Sequence, residues 1–96
     1  LLRAFGALAD RVQALVGIEV AGDVRVVADA LTAMDEAEYV VITAGRYDVF
    51  VEVVCVDMAH LLELVNDRIR VLDGVKGTEI FSYLNLVKQT YSWGAR

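Results

Sequence analysis

Residues 38–56 read EYVVITAGRYDVFVEVVCV, two β-rich runs joined by a link short enough to be only a turn. Glu38 to Thr43 and Asp48 to Val56 are dominated by Val, Ile, Tyr and Phe, side chains that suit a pleated, half-buried surface. The link Ala44-Gly45-Arg46-Tyr47 has hairpin length and contains glycine, so the two strands are predicted to be antiparallel neighbours.

Working outward, Ala14 to Val20 (ALVGIEV) alternates cleanly and reads as a strand. Ala21-Gly22-Asp23 breaks it, and Asp23 is suited to cap a helix. Val24, Val27, Ala28, Leu31 and Met34 then recur at three- and four-residue spacing, which predicts an amphipathic helix over Asp23 to Met34. On the other side of the hairpin, Asp57 caps a second helix carrying Met58, Leu61, Leu62, Val65, Ile69 and Leu72. Asp73-Gly74 closes it. A last strand is predicted from Thr78 to about Val87 (TEIFSYLNLV), followed by a mixed tail to Arg96. Leu1 to Val12 is an entry segment of weak pattern, with a turn at Phe5-Gly6-Ala7-Leu8 and a surface step at Asp10-Arg11.

The order strand–helix–strand–strand–helix–strand predicts an α+β, ferredoxin-like βαββαβ sandwich. Right-handed crossovers place both helices on one face of a four-stranded antiparallel sheet. Residues 1–96 are read as a single domain.

Strand parity then assigns the faces. Ala14, Val16, Ile18, Val20, Val40, Ile42, Val49, Val51, Val53, Cys55, Ile80, Leu84 and Leu86 should face the helices. The other face carries Leu15, Gly17, Glu19, Tyr39, Val41, Thr43, Phe50, Glu52, Val54, Phe81, Tyr83, Asn85 and Val87. A solvated face would be mostly charged, whereas this one holds four aromatics. Tyr39, Val41, Phe50, Val54, Phe81 and Tyr83 are therefore expected to form a dimer interface. The alternative cover is the tail or the N-terminal dozen residues. Glu19 and Glu52 need partners on that face, and Arg46, Lys88 or Arg25 of a second chain are candidates.

Composition agrees. The chain is 57% hydrophobic with no proline, yet no apolar run approaches the ~20 residues of a membrane-spanning helix. The excess points to self-association. A net charge of −5 argues against direct grip on nucleic acid. One cysteine, Cys55, allows no internal disulfide and fits a reducing cytoplasm. The opening Leu1-Leu2-Arg3, without an initiator methionine or a leader, suggests a fragment with residues upstream.

Thr43-Ala44-Gly45-Arg46-Tyr47-Asp48, then Asp57 opening a Leu-rich helix, Leu72-Asp73-Gly74-Val75 and Leu86-Val87-Lys88-Gln89 follow one another in an order that resembles the C-terminal effector-binding domain of the leucine-responsive/AsnC transcription regulators. That family's pattern is T-x-G-x-[YF]-D, a helix-opening D, L-P-G-V and a strand ending V-K, and the resemblance covers residues 14–91. It implies sheet-mediated dimers, octamers or related rings, and a small effector, typically an amino acid, between dimers. It also implies DNA binding only through an upstream helix-turn-helix domain that this sequence lacks. By the resemblance, Gly45, Arg46, Tyr47 and Asp48 form the effector loop, and Thr78, Ile80 and Ser82 the opposing wall. The residues agree with the loop: Gly45 allows close backbone approach, exposed N–H groups can hold a carboxylate, and Asp48 can accept from an ammonium group. On the residues alone, Gly45 and Asp48 read more readily as hairpin-stabilising positions than as ligand contacts, and the resemblance brings the two readings level. The chain departs from the family at Asp73, where proline is usual, and at Gly77 and Ile80, where polar residues are common.

Other chemistry is sparse. His60 reads as a rim histidine and Cys55 as a core residue. Ser82 and Ser92 have no histidine to activate them. Asp35, Glu36 and Glu38 read as a solvated turn. Trp93 reads equally as a tail anchor against a neighbouring subunit and as part of a frayed end. No catalytic set, metal site or cofactor is expected, nor any membrane partner. Two other readings are a free-standing small-molecule-binding module and a small dimeric monooxygenase of ferredoxin-like fold.

Overall fold

The computed structural model describes residues 11–90. The turn at Phe5–Leu8, the step at Asp10, Ser92 and the Trp93 anchor lie outside those residues. Strand β1 spans Val12–Val20, helix α1 Val24–Thr32, β2 Ala37–Ile42, β3 Val49–Cys55, α2 Met58–Glu63 and β4 Val75–Ser82. The strands form one sheet in the order β2-β3-β1-β4, antiparallel at every pairing. This is the βαββαβ sandwich expected from the strand and helix patterns.

Each helix begins as its cap residue dictates. The Asp23 carboxylate accepts from Arg25 N at 2.9 Å, and that of Asp57 accepts from His60 N at 2.8 Å, satisfying otherwise orphaned first-turn donors. From α1, Val27, Ala28 and Leu31 turn inward. The second helix departs from expectation. Its α-helical hydrogen bonding stops at Glu63, and Leu64–Ile69 continues as a wider π-helix, with Arg70 N donating to Val65 O, five residues back, at 2.9 Å. Leu61, Leu64, Val65 and Ile69 are buried, but Met58 and Leu62, predicted for the apolar face, lie largely exposed.

The core forms between the helices and one sheet face. Ala14, Val16 and Ile18 of β1 and Val49, Val51, Val53 and Cys55 of β3 are all essentially inaccessible. These are the parities read from the alternation. Both strands are central, so each has a neighbour on either side and its alternation maps directly onto burial.

The last strand needs correcting. It starts earlier than Thr78, because a bulge beside Glu19 and Val20 lets Val75 pair with Val20 directly after the Gly74 turn. It stops at Ser82, which lies opposite Ala14, and Tyr83 N donates to Gln13 O at 3.2 Å as the last rung. Leu84 and Leu86 therefore do not face the helices; Leu84 is 98% exposed. Asn85 and Val87 likewise fall beyond the sheet. Ile42 and Ile80 share the helix-side face with their partners Val49 and Val16. They sit on edge strands, however, and remain nearly half exposed.

Candidate functional site

The β2–β3 loop is built by its own motif residues. Thr43 closes it twice, with Oγ1 donating to Tyr47 O at 2.8 Å and N donating to Asp48 O at 2.9 Å. Gly45 stands at the tip with φ +157°, and a Cβ there would meet nothing within 4 Å. Among the described residues, the backbone N–H groups of Ala44, Gly45 and Arg46 meet no protein acceptor. Asp48 ties the loop to β1: its N donates to Ile18 O at 2.9 Å, and its Oδ2 accepts from Val20 N at 2.8 Å. One carboxylate oxygen thus has a structural task.

Tyr47 turns away from the loop's outer surface. Its ring is buried on the open sheet face, edge-on to Phe50 at 5.6 Å and to Phe81 at 6.1 Å, and its other neighbour is Gly17. A Cβ on Gly17 would come within 2.9 Å of Tyr47 Cγ and 3.1 Å of Phe50 Cε1. The glycine in mid-β1 is the space the ring occupies, and a glycine inside a strand is the available signal for such an approach. Arg46 lies over that ring, 5.4 Å from its centroid, a cation–π contact.

The expected opposing wall is only partly beside this loop. Thr78 pairs with Ile18, the residue that Asp48 N reaches from the other side. One strand therefore separates Asp48 from Thr78, a gap of about 10 Å. Thr78 borders an open cleft of about 400 Å³ lined also by Arg70, Val75, Lys76 and Gly77. Ser82 lies four residues farther along, opposite Ala14, and is exposed. Gly77 has a local reason to lack a side chain, since its Cβ would sit 3.0 Å from Glu19 Oε1.

The open face carries the residues assigned to an interface. Tyr39, Val41, Phe50, Glu52, Val54 and Phe81 share it by register, and Tyr39, Val41 and Phe81 are exposed. Glu52 is served within its own chain, by Tyr83 Oη donating to Oε2 at 2.6 Å. Burial, and then the carboxylate it donates to, push the Tyr83 phenol well above its ordinary range. Arg25, a candidate partner for these glutamates, is held by its own Asp23 at 3.0 Å.

Sequence reasoning missed a polar cluster at the other end of the molecule. Glu36 is not part of a solvated turn: its carboxylate is mostly buried and receives both His60 Nε2, at 2.7 Å, and Arg68. Burial alone would raise its pKa, but the hydrogen bonds from Arg68 and His60 outweigh it and hold the acid at about 2. His60 Nδ1 accepts from Val56 N at 3.0 Å, so Nε2 carries the proton. Burial pushes the Cys55 thiol up, in keeping with a packing role. Among the described residues no three His, Cys, Asp or Glu side chains converge as a metal site would. No helix there is long and apolar enough to cross a membrane.

The family model described as the PF0864 C-terminal dimeric alpha+beta barrel domain, of AsnC-type transcriptional regulators, matches residues 10–96. A helix-turn-helix-type transcriptional regulator of Pyrococcus furiosus is 34% identical over 71 residues, 74% of this chain and 45% of that protein. The chain thus spans about half the length of this curated relative. AsnC of E. coli superposes with a TM-score of 0.81 at 22% identity, over 93% of this chain and 59% of its own. The regulator NMB0573 of Neisseria meningitidis, solved with L-Met, gives 0.81 at 22% identity over 96% and 60%. TTHA0845 of Thermus thermophilus gives 0.76 at 25% identity, over 81% of this chain and 99% of that one. At 22% identity the likeness to the E. coli and Neisseria proteins is one of fold.

Proposed function

The chain belongs to the AsnC-type regulator family through its C-terminal dimeric alpha+beta barrel domain, and on that premise we propose that it is the ligand-sensing, oligomer-forming part of an amino-acid-responsive transcription regulator. The observation that carries the ligand half is the loop tip. The N–H groups of Ala44, Gly45 and Arg46, which meet no protein acceptor among the described residues, are donors available to a carboxylate. Asp48 beside them keeps one oxygen outside its bond to Val20 and is suited to an ammonium group. A carboxylate and an ammonium on one small molecule describe an amino acid. The L-Met bound to the Neisseria regulator agrees with that class.

Thr78, with Arg70 and Lys76 around the cleft, supplies a wall to a loop brought by a neighbouring dimer, since within one chain β1 stands between the two. Ile80 and Ser82 extend that wall toward the far end of β4. DNA is reached through a helix-turn-helix domain of the parent protein, which acts in the cytoplasm. The Thermus neighbour, matched over 99% of its chain, favours a second reading, in which a domain of this size binds its ligand without a DNA-binding partner on the same chain.

Calorimetry against the common amino acids tests the ligand half. Asp48→Asn keeps an acceptor for Val20 N but removes the charge, worth about 1.5–3 kcal/mol in a charge-assisted bond. Affinity should fall at least about tenfold while the melting temperature barely moves. If no amino acid binds, or if Asp48→Asn binds as the parent does, the loop is a structural turn.

A further inference from the structure

The cleft beside β4 differs in charge from the rest of the molecule. Its wall consists of Arg70, which ends the π-helical turn, and of Val75, Lys76, Gly77 and Thr78 on the border strand. Two cations and a hydroxyl line it, and no carboxylate does. The chain as a whole has 14 acidic residues against 9 basic ones, so a wall of the opposite sign is a local arrangement.

Neither cation is committed. Among the described residues Arg70 and Lys76 form no ion pair, while Arg25 and Arg68 are each held by carboxylates. Arg70 has one long contact, Nη1 donating to Asn66 Oδ1 at 3.4 Å, which leaves most of its guanidinium donors unused. A guanidinium offers a carboxylate two parallel hydrogen bonds, and a lysine ammonium beside it adds a second positive charge. The open volume of about 400 Å³ is in the range of small-ligand sites.

We propose that the cleft receives a side-chain carboxylate, so that the effector is an acidic amino acid, aspartate or glutamate. The inference rests on the amino-acid reading of the loop and goes beyond it by fixing the charge of the ligand's side chain. The loop N–H groups and Asp48 answer an α-carboxylate and an α-ammonium, a pair with no net charge. What is left to the cleft is the side chain. A cationic side chain would be repelled there, and an apolar one would cover Arg70 and Lys76 without compensating them. A carboxylate compensates both, with the Thr78 hydroxyl as a further donor.

Calorimetry on the whole chain with each acid against its own amide tests this, because L-glutamate and L-glutamine, like L-aspartate and L-asparagine, differ in charge and hardly in shape. One of the acids should bind at least tenfold more tightly than its amide. Arg70→Gln and Lys76→Gln, separately and together, should shrink that ratio toward one without lowering the melting temperature, since both side chains are exposed. Amides or L-methionine that bind as tightly as the acids overturn the charge selection and leave the amino-acid reading standing. A preference for the acid that survives the double variant overturns the cleft as its source. Equal losses for acid and amide in the variants would mean that the two cations hold the α-carboxylate of any amino acid, which overturns it too. So would inorganic phosphate, if it binds more tightly than either acid. A chain that binds no amino acid at all removes the amino-acid reading along with the inference.

Discussion

Glu36 shows how one carboxylate joins elements far apart in sequence. It ends the α1–β2 turn, yet it holds His60 of α2 and Arg68 of the π-helical turn. Because its folded pKa lies at about 2 against 4.5 for the free group, it is the ionised form that the fold favours. The stabilisation is complete above about pH 4.5 and drains away as pH falls toward 2. Glu36→Gln keeps the shape and loses the charge. It should cost about 1–2 kcal/mol at pH 7, lowering the melting temperature by roughly 5–10 °C in a domain of this size. The gap between parent and variant should close on acidification through that window, as melts from pH 7 to pH 2 would register. A constant gap would mean that the carboxylate is not charged in the fold. No local spacing could have announced this cluster, since its members lie 24 and 32 residues from Glu36 and meet only once the sheet has formed.

At the scale of elements, what could be read in advance was what depends on a single strand's own alternation. Val16, Ile18, Val49, Val51 and Val53 sit where period two put them, because β1 and β3 are covered on one face and paired on both sides. The end of β4 was illegible for a different reason: the alternation of TEIFSYLNLV runs on past Ser82, whereas the pairing with β1 ends there, and nothing in that run marks the place. The loop was half legible. Thr43, Gly45 and Asp48 shape it as the motif suggested, but the direction of Tyr47 depends on Gly17, thirty residues away on a neighbouring strand. Gly17→Ala tests that coupling between β1 and the loop. The new methyl must displace two rings, so a loss of about 1–3 kcal/mol is expected from overpacking, with a weakened near-ultraviolet tyrosine signal. An unchanged melt and spectrum would show that the ring is not wedged there.

Among its described residues the molecule keeps an apolar excess exposed. The helices cover one sheet face, and the other still presents Tyr39, Val41, Phe81 and Tyr83 to solvent, in a family whose domain is described as a dimeric barrel. Light scattering at low micromolar concentration should therefore find at least a dimer, and a stable monomer would contradict the use made of that face. Charge sets the limit on what such a dimer can hold. Each copy carries −5, so pairing doubles the deficit that a phosphate backbone would meet. The cations present are partly committed: Arg25 to Asp23, and Arg68 to Glu36 and Glu63. Arg70 and Lys76 share the cleft, but two cations release too few counterions to hold duplex DNA at physiological salt. Residues 1–96 alone are accordingly expected to leave a labelled duplex unshifted at micromolar protein in about 0.15 M salt. A retarded band in a gel assay that weakens steeply as salt rises would place a phosphate-binding surface on this domain, and with it a direct part in gripping DNA.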